Sequence, residues 1–146
     1  MKISTRVRYG VRLMVELGLH YDQGPFYLKQ IAKLEDISEK YLSQIIIPLK
    51  RAGLIRSFRG AKGGYILSRS PDKISMKQIV AVLNGGLNMV KCVKSPNSCS
   101  RVSSCVTREL WNDLGNVISN MLGSVSLQDL VEKCRNKKNH ELSYCI

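Results

Sequence analysis

The chain is short of acidic residues, of aromatics, of histidines and of long apolar runs, and each shortage removes a class of function. Only 11 Asp and Glu stand against 23 Lys and Arg, so no carboxylate cluster exists for a metal-dependent nuclease. Two histidines, no Ser-His-Asp arrangement and no phosphate-binding loop of the Walker type leave no catalytic constellation to assemble, and an enzyme is not expected. No stretch approaches the ~18 uninterrupted apolar residues of a membrane span. Lys2, Arg6, Arg8 and Arg12 break up the apolar residues near the start, so neither a signal peptide nor a membrane anchor is expected and the reading is cytoplasmic. There is no C-x2-C pair of the kind structural zinc sites use.

What is present points to a nucleic acid. The 146 residues suffice for one hydrophobic core, and the formal charge of +12 calls for a polyanionic partner. The charge is concentrated: residues 1–84 carry net +9 and residues 85–146 net +3.

Periodicity divides residues 1–84 into helices and one hairpin. Ser4 is a candidate N-cap for a helix of about four turns with Val7, Val11, Met14, Val15 and Gly18 as its apolar stripe. After the Gly24-Pro25 breaker, Leu28, Ile31, Ala32 and Leu34 predict a short second helix, with a turn over 35–37. Ser38 caps a third, with Tyr41, Leu42, Ile45, Ile46 and Leu49 as its apolar residues and its end at Gly53. Pro48 lies inside it and is expected to bend or slacken its last turn. Two short apolar runs, Leu54–Phe58 and Tyr65–Leu67, flank Gly60-Ala61-Lys62-Gly63-Gly64 and predict a hairpin with a basic tip. Its glycines permit positive φ and a close backbone approach to a partner. Ser75 and Gln78 form a capping-box pattern for a fourth helix ending at Gly85-Gly86.

Beyond Gly86 the pattern changes. A polar stretch leads to a long amphipathic helix from about Cys105 to Gly123, with Val106, Leu110, Leu114, Val117, Ile118 and Met121 on one stripe and Trp111 beside it. Ser126 can start one or two further helical turns, to about Lys133. The expected organisation is a DNA-binding domain over 1–84, a cysteine-bearing loop over 85–104, a dimerisation helix with a short following helix over 105–133, and a polar tail over 134–146.

Helix, short helix, turn, helix and basic hairpin is the order of a winged helix-turn-helix, so the fold class is mainly α with a small β-hairpin wing. On that reading Lys40, Tyr41, Ser43 and Gln44, near the start of the third helix, face the major groove. Arg59 and Lys62 suit the minor groove and phosphates. Arg6, Arg8, Lys29, Lys50 and Arg51 serve as phosphate contacts or as plain surface charge. The partner is a double-stranded DNA operator, bound by a homodimer joined through Leu110, Leu114, Val117, Ile118 and Met121.

Cys92, Cys99 and Cys105 form C-x6-C-x5-C on the polar stretch. Three thiols this close, outside a secreted context, suit an iron-sulfur cluster better than zinc, since neither His20 nor His140 is near. Inert small hydrophobes and thiol-exchange sensing are the other readings. Cys134 and Cys145 have no such spacing and read as ordinary thiols.

The run Tyr41-Leu42 to Leu49, then Ala52-Gly53-Leu54-Ile55, Arg59-Gly60-Ala61-Lys62-Gly63-Gly64-Tyr65-Ile66-Leu67, and the three cysteines resemble the Rrf2 family of bacterial regulators over about residues 1–133. The resemblance implies a dimeric winged-helix regulator, a repressor or activator. It also implies a [2Fe-2S] or [4Fe-4S] cluster ligated by Cys92, Cys99 and Cys105 that senses redox state, iron-sulfur status or nitric oxide. Family members lacking these cysteines are the less expected branch. Cluster-binding members complete the site with a histidine soon after the third cysteine or a side chain from the partner's first helix. Here Val106, Thr107, Arg108 and Glu109 follow Cys105, and Glu109 is the candidate fourth ligand within the chain. The alternative is a cluster-free regulator sensing through thiol chemistry or a protein partner.

Overall fold

The computed structural model describes residues 3–144. Seven α-helices and one two-stranded antiparallel sheet follow in the order α1 (Thr5–Leu19), α2 (Leu28–Glu35), α3 (Glu39–Arg51), β1 (Ile55–Phe58), β2 (Gly64–Leu67), α4 (Met76–Asn84), α5 (Lys91–Lys94), α6 (Val106–Gly123) and α7 (Leu127–Tyr144). The fold is that of a winged helix-turn-helix.

Serine side chains set the helix starts. Ser4, Ser38 and Ser75 accept from the amides of Val7, Tyr41 and Gln78, each three residues on. Ser75 and Gln78 complete the capping box in both directions. Asp36, in the left-handed conformation (φ 51°), ends α2 and turns the chain into α3. α3 runs on through Pro48 to Arg51. The bond lost to the Gln44 carbonyl is tolerated because Ile45, Ile46 and Leu49 on either side are buried.

α1 is the central helix, and its buried face is wider than the expected stripe. Val11 and Val15 are only half-buried, whereas Gly10, Leu13, Glu16 and Leu17 are buried with Val7, Met14 and Gly18. Two helices cover it on different sides: a Cβ at Gly10 would meet Leu83 of α4 at 2.2 Å, and one at Gly18 would meet Val131 of α7 at 2.6 Å. Leu34, placed with the apolar positions of α2 on spacing, is exposed.

α7 departs most from expectation. It continues past the expected end near Lys133 to Tyr144, so the polar tail is helical over 134–144. The segment from Leu127 contains no glycine or proline and is rich in Leu, Glu, Gln, Lys and Arg, all good helix formers. Ser126 and Asp129 cap its start reciprocally, and those bonds hold the Asp129 carboxyl below its ordinary pKa. Leu127 and Val131 enter the core.

Glu16 is the buried charged residue of the core, 3% exposed, and its Oε2 has no hydrogen-bond partner. Lys138 Nζ lies 3.8 Å from Oε1 and His20 Nδ1 3.9 Å from Oε2. Burial, aided by the neighbouring Glu35 carboxylate, outweighs the Lys138 ammonium and raises the Glu16 pKa above its ordinary 4.5. The folded protein therefore holds this proton more tightly than the unfolded chain. The associated stability is complete below pH 4.5 and is lost as pH rises through the higher folded value. Glu16→Gln should accordingly melt higher than wild type at pH 7, by roughly 4 °C for about 1 kcal/mol. Its stability should also vary less between pH 4 and 7, measured by circular dichroism; a lower melting temperature would mean that the Lys138 pair outweighs the burial cost.

Candidate nucleic-acid interface and cysteine segment

The third helix and the hairpin meet along one concave surface. Lys29 at the start of α2, Ser43 and Lys50 on α3, and Ser57 and Arg59 on the hairpin line a cleft of about 470 Å³. Sequence reasoning placed Ser43 and Arg59 in different grooves; here they edge the same hollow, with Lys29 and Lys50 at its rim. Lys40, Ser43, Gln44, Arg59 and Lys62 are exposed, while Tyr41 is half-buried with its ring edge-on to Tyr9 at 6.0 Å. The Ser43 hydroxyl donates to the Glu39 carbonyl at 2.9 Å, so its oxygen still offers an acceptor to a partner. Arg6 and Arg8 are exposed on α1 and Arg51 at the end of α3.

The hairpin pairs Ile55 with Leu67 and Phe58 with Gly64. Sequence reasoning missed a third participant. Phe26 forms a bridge to Tyr65, its amide donating to the Tyr65 carbonyl at 3.0 Å and its carbonyl accepting from the Tyr65 amide at 2.9 Å. The Tyr27 hydroxyl donates to the Ala61 carbonyl at the tip. The wing is therefore fastened to the segment before α2. The signal for it was the aromatic pair Phe26-Tyr27 directly after the Gly24-Pro25 breaker.

The three cysteines occupy one excursion without core packing. Cys92 lies in α5, Cys99 after the 3-10 turn Pro96–Ser98, and Cys105 at the N-cap of α6. No residue between Lys91 and Cys105 is buried. Arg108 Nε of α6 donates to the Cys92 carbonyl at 3.3 Å, tying α5 to the long helix. The Cys105 thiol is drawn below its ordinary pKa by the Thr107 hydroxyl, 3.2 Å from Sγ, and by the Arg108 amide. Glu109 is exposed and edges the same shallow depression as Cys105.

Among the described residues, no three His, Cys, Asp or Glu side chains are gathered as a metal-binding group. The three thiols thus fit a cluster in donor chemistry, one of them already biased toward thiolate, but the excursion must close for them to converge. Cys134 is half-buried on α7, and Cys145 lies outside the described residues.

α6 contributes no buried side chain. Leu110, Val117 and Met121 are exposed, as is Val106 at 81%; Leu114 is at the margin and Ile118 half-buried. Among the described residues no helix is long and apolar enough to cross a membrane.

The model of the Rrf2 family, described as an iron-dependent transcriptional regulator, matches residues 3–133. The chain is 40% identical over 130 residues to the HTH-type transcriptional regulator CymR of Bacillus subtilis, covering 89% of each. It is 33% identical to the regulator IscR of Xenorhabdus nematophila, covering 90% of this chain and 80% of that one. The solved structure of CymR, the global cysteine regulator of B. subtilis, superimposes with a TM-score of 0.75 at 38% identity, covering 91% of this chain and 98% of that one.

Proposed function

The chain belongs to the Rrf2 family of transcriptional regulators, and from that premise we propose a homodimeric repressor whose DNA affinity follows the state of an iron-sulfur cluster on the Cys92–Cys105 segment. It reads its operator with Lys40, Tyr41, Ser43 and Gln44 in the major groove and sets Arg59 and Lys62 against the minor groove and phosphates. The observation that carries the DNA reading is the cleft shared by Ser43, Lys50 and Arg59, since one duplex can contact helix and wing only if both edge a common surface.

Cys92, Cys99 and Cys105 would hold the cluster, with Glu109 as a candidate fourth ligand. A bound cluster supplies a redox-active, nitric-oxide-reactive centre. The chain's part is to carry that state to the dimer, and the Arg108 bond to the Cys92 carbonyl ties the cysteine segment to α6. Ordering or releasing that segment biases α6 and, through the dimer, the spacing of the two reading helices. The family description as iron-dependent supports this.

The ungathered thiols and the lowered Cys105 pKa favour a second reading, a thiol-exchange sensor without metal. Protein purified without oxygen distinguishes the two. Brown protein containing iron and acid-labile sulfide, both absent after Cys92→Ala, Cys99→Ala and Cys105→Ala together, is the expected result. Colourless, metal-free protein with thiol-dependent DNA binding would replace the cluster by the thiol reading.

A further inference from the structure

The hairpin has a second cleft on its other side. It holds about 290 Å³ between the end of α1, the loop after it and the strands, with Leu17 and Leu67 at its apolar base. One wall is His20 stacked on Phe26, ring centroids 3.8 Å apart and planes 13° from parallel. Arg56 on β1 and Asp22 on the loop bring opposite charges to the same hollow. Ser68 also lines it, and its hydroxyl is buried without a hydrogen-bond partner.

We propose that this cleft binds a small hydroxy- or amino-carboxylate. The Ser68 hydroxyl has no partner within the chain, so a ligand in the cleft can use it as donor or acceptor. Arg56 presents a planar fork matched to a carboxylate. His20 Nδ1 lies 2.9 Å from the Glu16 carbonyl, which leaves Nε2 as the ring's other polar atom. Asp22 disfavours a bare polyanion and favours a ligand that also carries an ammonium or hydroxyl donor. A volume at the low end of ligand pockets limits the occupant to about the size of an amino acid.

The position gives the site a consequence for DNA, and this part rests on the proposed DNA reading. Successive strand residues face opposite sides, so Arg56 lines this cleft while Ser57 lines the one toward α3. Tyr65 lines both and is the residue bridged to Phe26. An occupant therefore fixes the wing relative to α1 and changes DNA affinity, and DNA must change ligand affinity by the same factor.

The test is thermal shift and calorimetric titration of the full chain with serine, glycine, lactate and glycerate at millimolar concentration, beside inorganic phosphate and chloride. At least one carboxylate should bind saturably, and Arg56→Gln should weaken it about tenfold or more. Ser68→Ala should melt no lower than wild type when free yet bind about tenfold more weakly. The proposal is overturned if no carboxylate binds, if phosphate or chloride gives the same shift, or if Ser68→Ala binds like wild type. Ligand binding without any DNA binding would leave the site standing and sink the DNA reading instead; unchanged operator affinity at saturating ligand would remove the coupling.

Discussion

Leu114→Glu with Ile118→Glu is expected to yield a folded monomer that binds operator at least about 100-fold more weakly than wild type, because one half-site contributes only part of the specific binding energy. α6 is 18 residues long and buries none of them within its own chain. A helix whose Val106, Leu110, Val117 and Met121 lie open to solvent needs a partner, and a second copy offers a self-complementary stripe. Glutamates at the centre of that stripe would meet their own images across a two-fold axis, leaving four unpaired carboxylates at a dry seam. The core of α1, α3, α4 and the start of α7 is untouched, so the circular dichroism spectrum and cooperative melting should persist. Sedimentation reports the mass, and the dependence of log K on log salt should fall to roughly half its slope, because one winged helix meets half the phosphates. A variant that still sediments as a dimer would move the interface off α6.

Much of the molecule was legible because local chemistry and tertiary packing agree. Ser4, Ser38 and Ser75 are short acceptors in front of amphipathic runs, and each caps the helix it was expected to start. The hairpin follows from two short apolar runs around a glycine-rich turn. What stayed hidden depends on distant contacts. Glu16 reads as an ordinary polar position of α1 until α7 covers it, and Leu34 fits an apolar spacing on a helix whose buried residues are Leu28 and Ile31. The length of α7 is easily underestimated because its polar composition resembles a tail, although good helix formers and the anchoring of Leu127 and Val131 in the core carry it to Tyr144. For the cysteines, spacing put three thiols on one segment. Whether they converge depends on a loop with no core contacts to fix it, which no local pattern encodes.

Gly64→Ala should cost about 3 kcal/mol or more and lower DNA affinity with it, whereas Gly60→Ala should cost about 1 kcal/mol. The hairpin glycines were expected to let the backbone approach a partner molecule. At Gly64 the approach is instead to Phe26 of the same chain: a Cβ there would lie 2.7 Å from the Phe26 carbonyl oxygen and 2.9 Å from its carbon, at φ +132°. Backbone atoms cannot step aside as a side-chain end can, so the methyl must push Phe26 away. Both bridge bonds between Phe26 and Tyr65 then go, each worth about 1 kcal/mol, in addition to the strain of the φ itself. Gly60 has a comparable φ of +97° but open space around it, so its variant bears the conformational term alone. Denaturant midpoints for the pair separate the two contributions, and operator titrations at matched folded fraction show what the fastened wing adds to binding. Equal losses at both positions would mean that the Phe26 contact does not hold the wing. A Gly64→Ala protein that bound DNA normally while folded would mean that the wing's fastening to the Phe26 segment is not what aims Arg59.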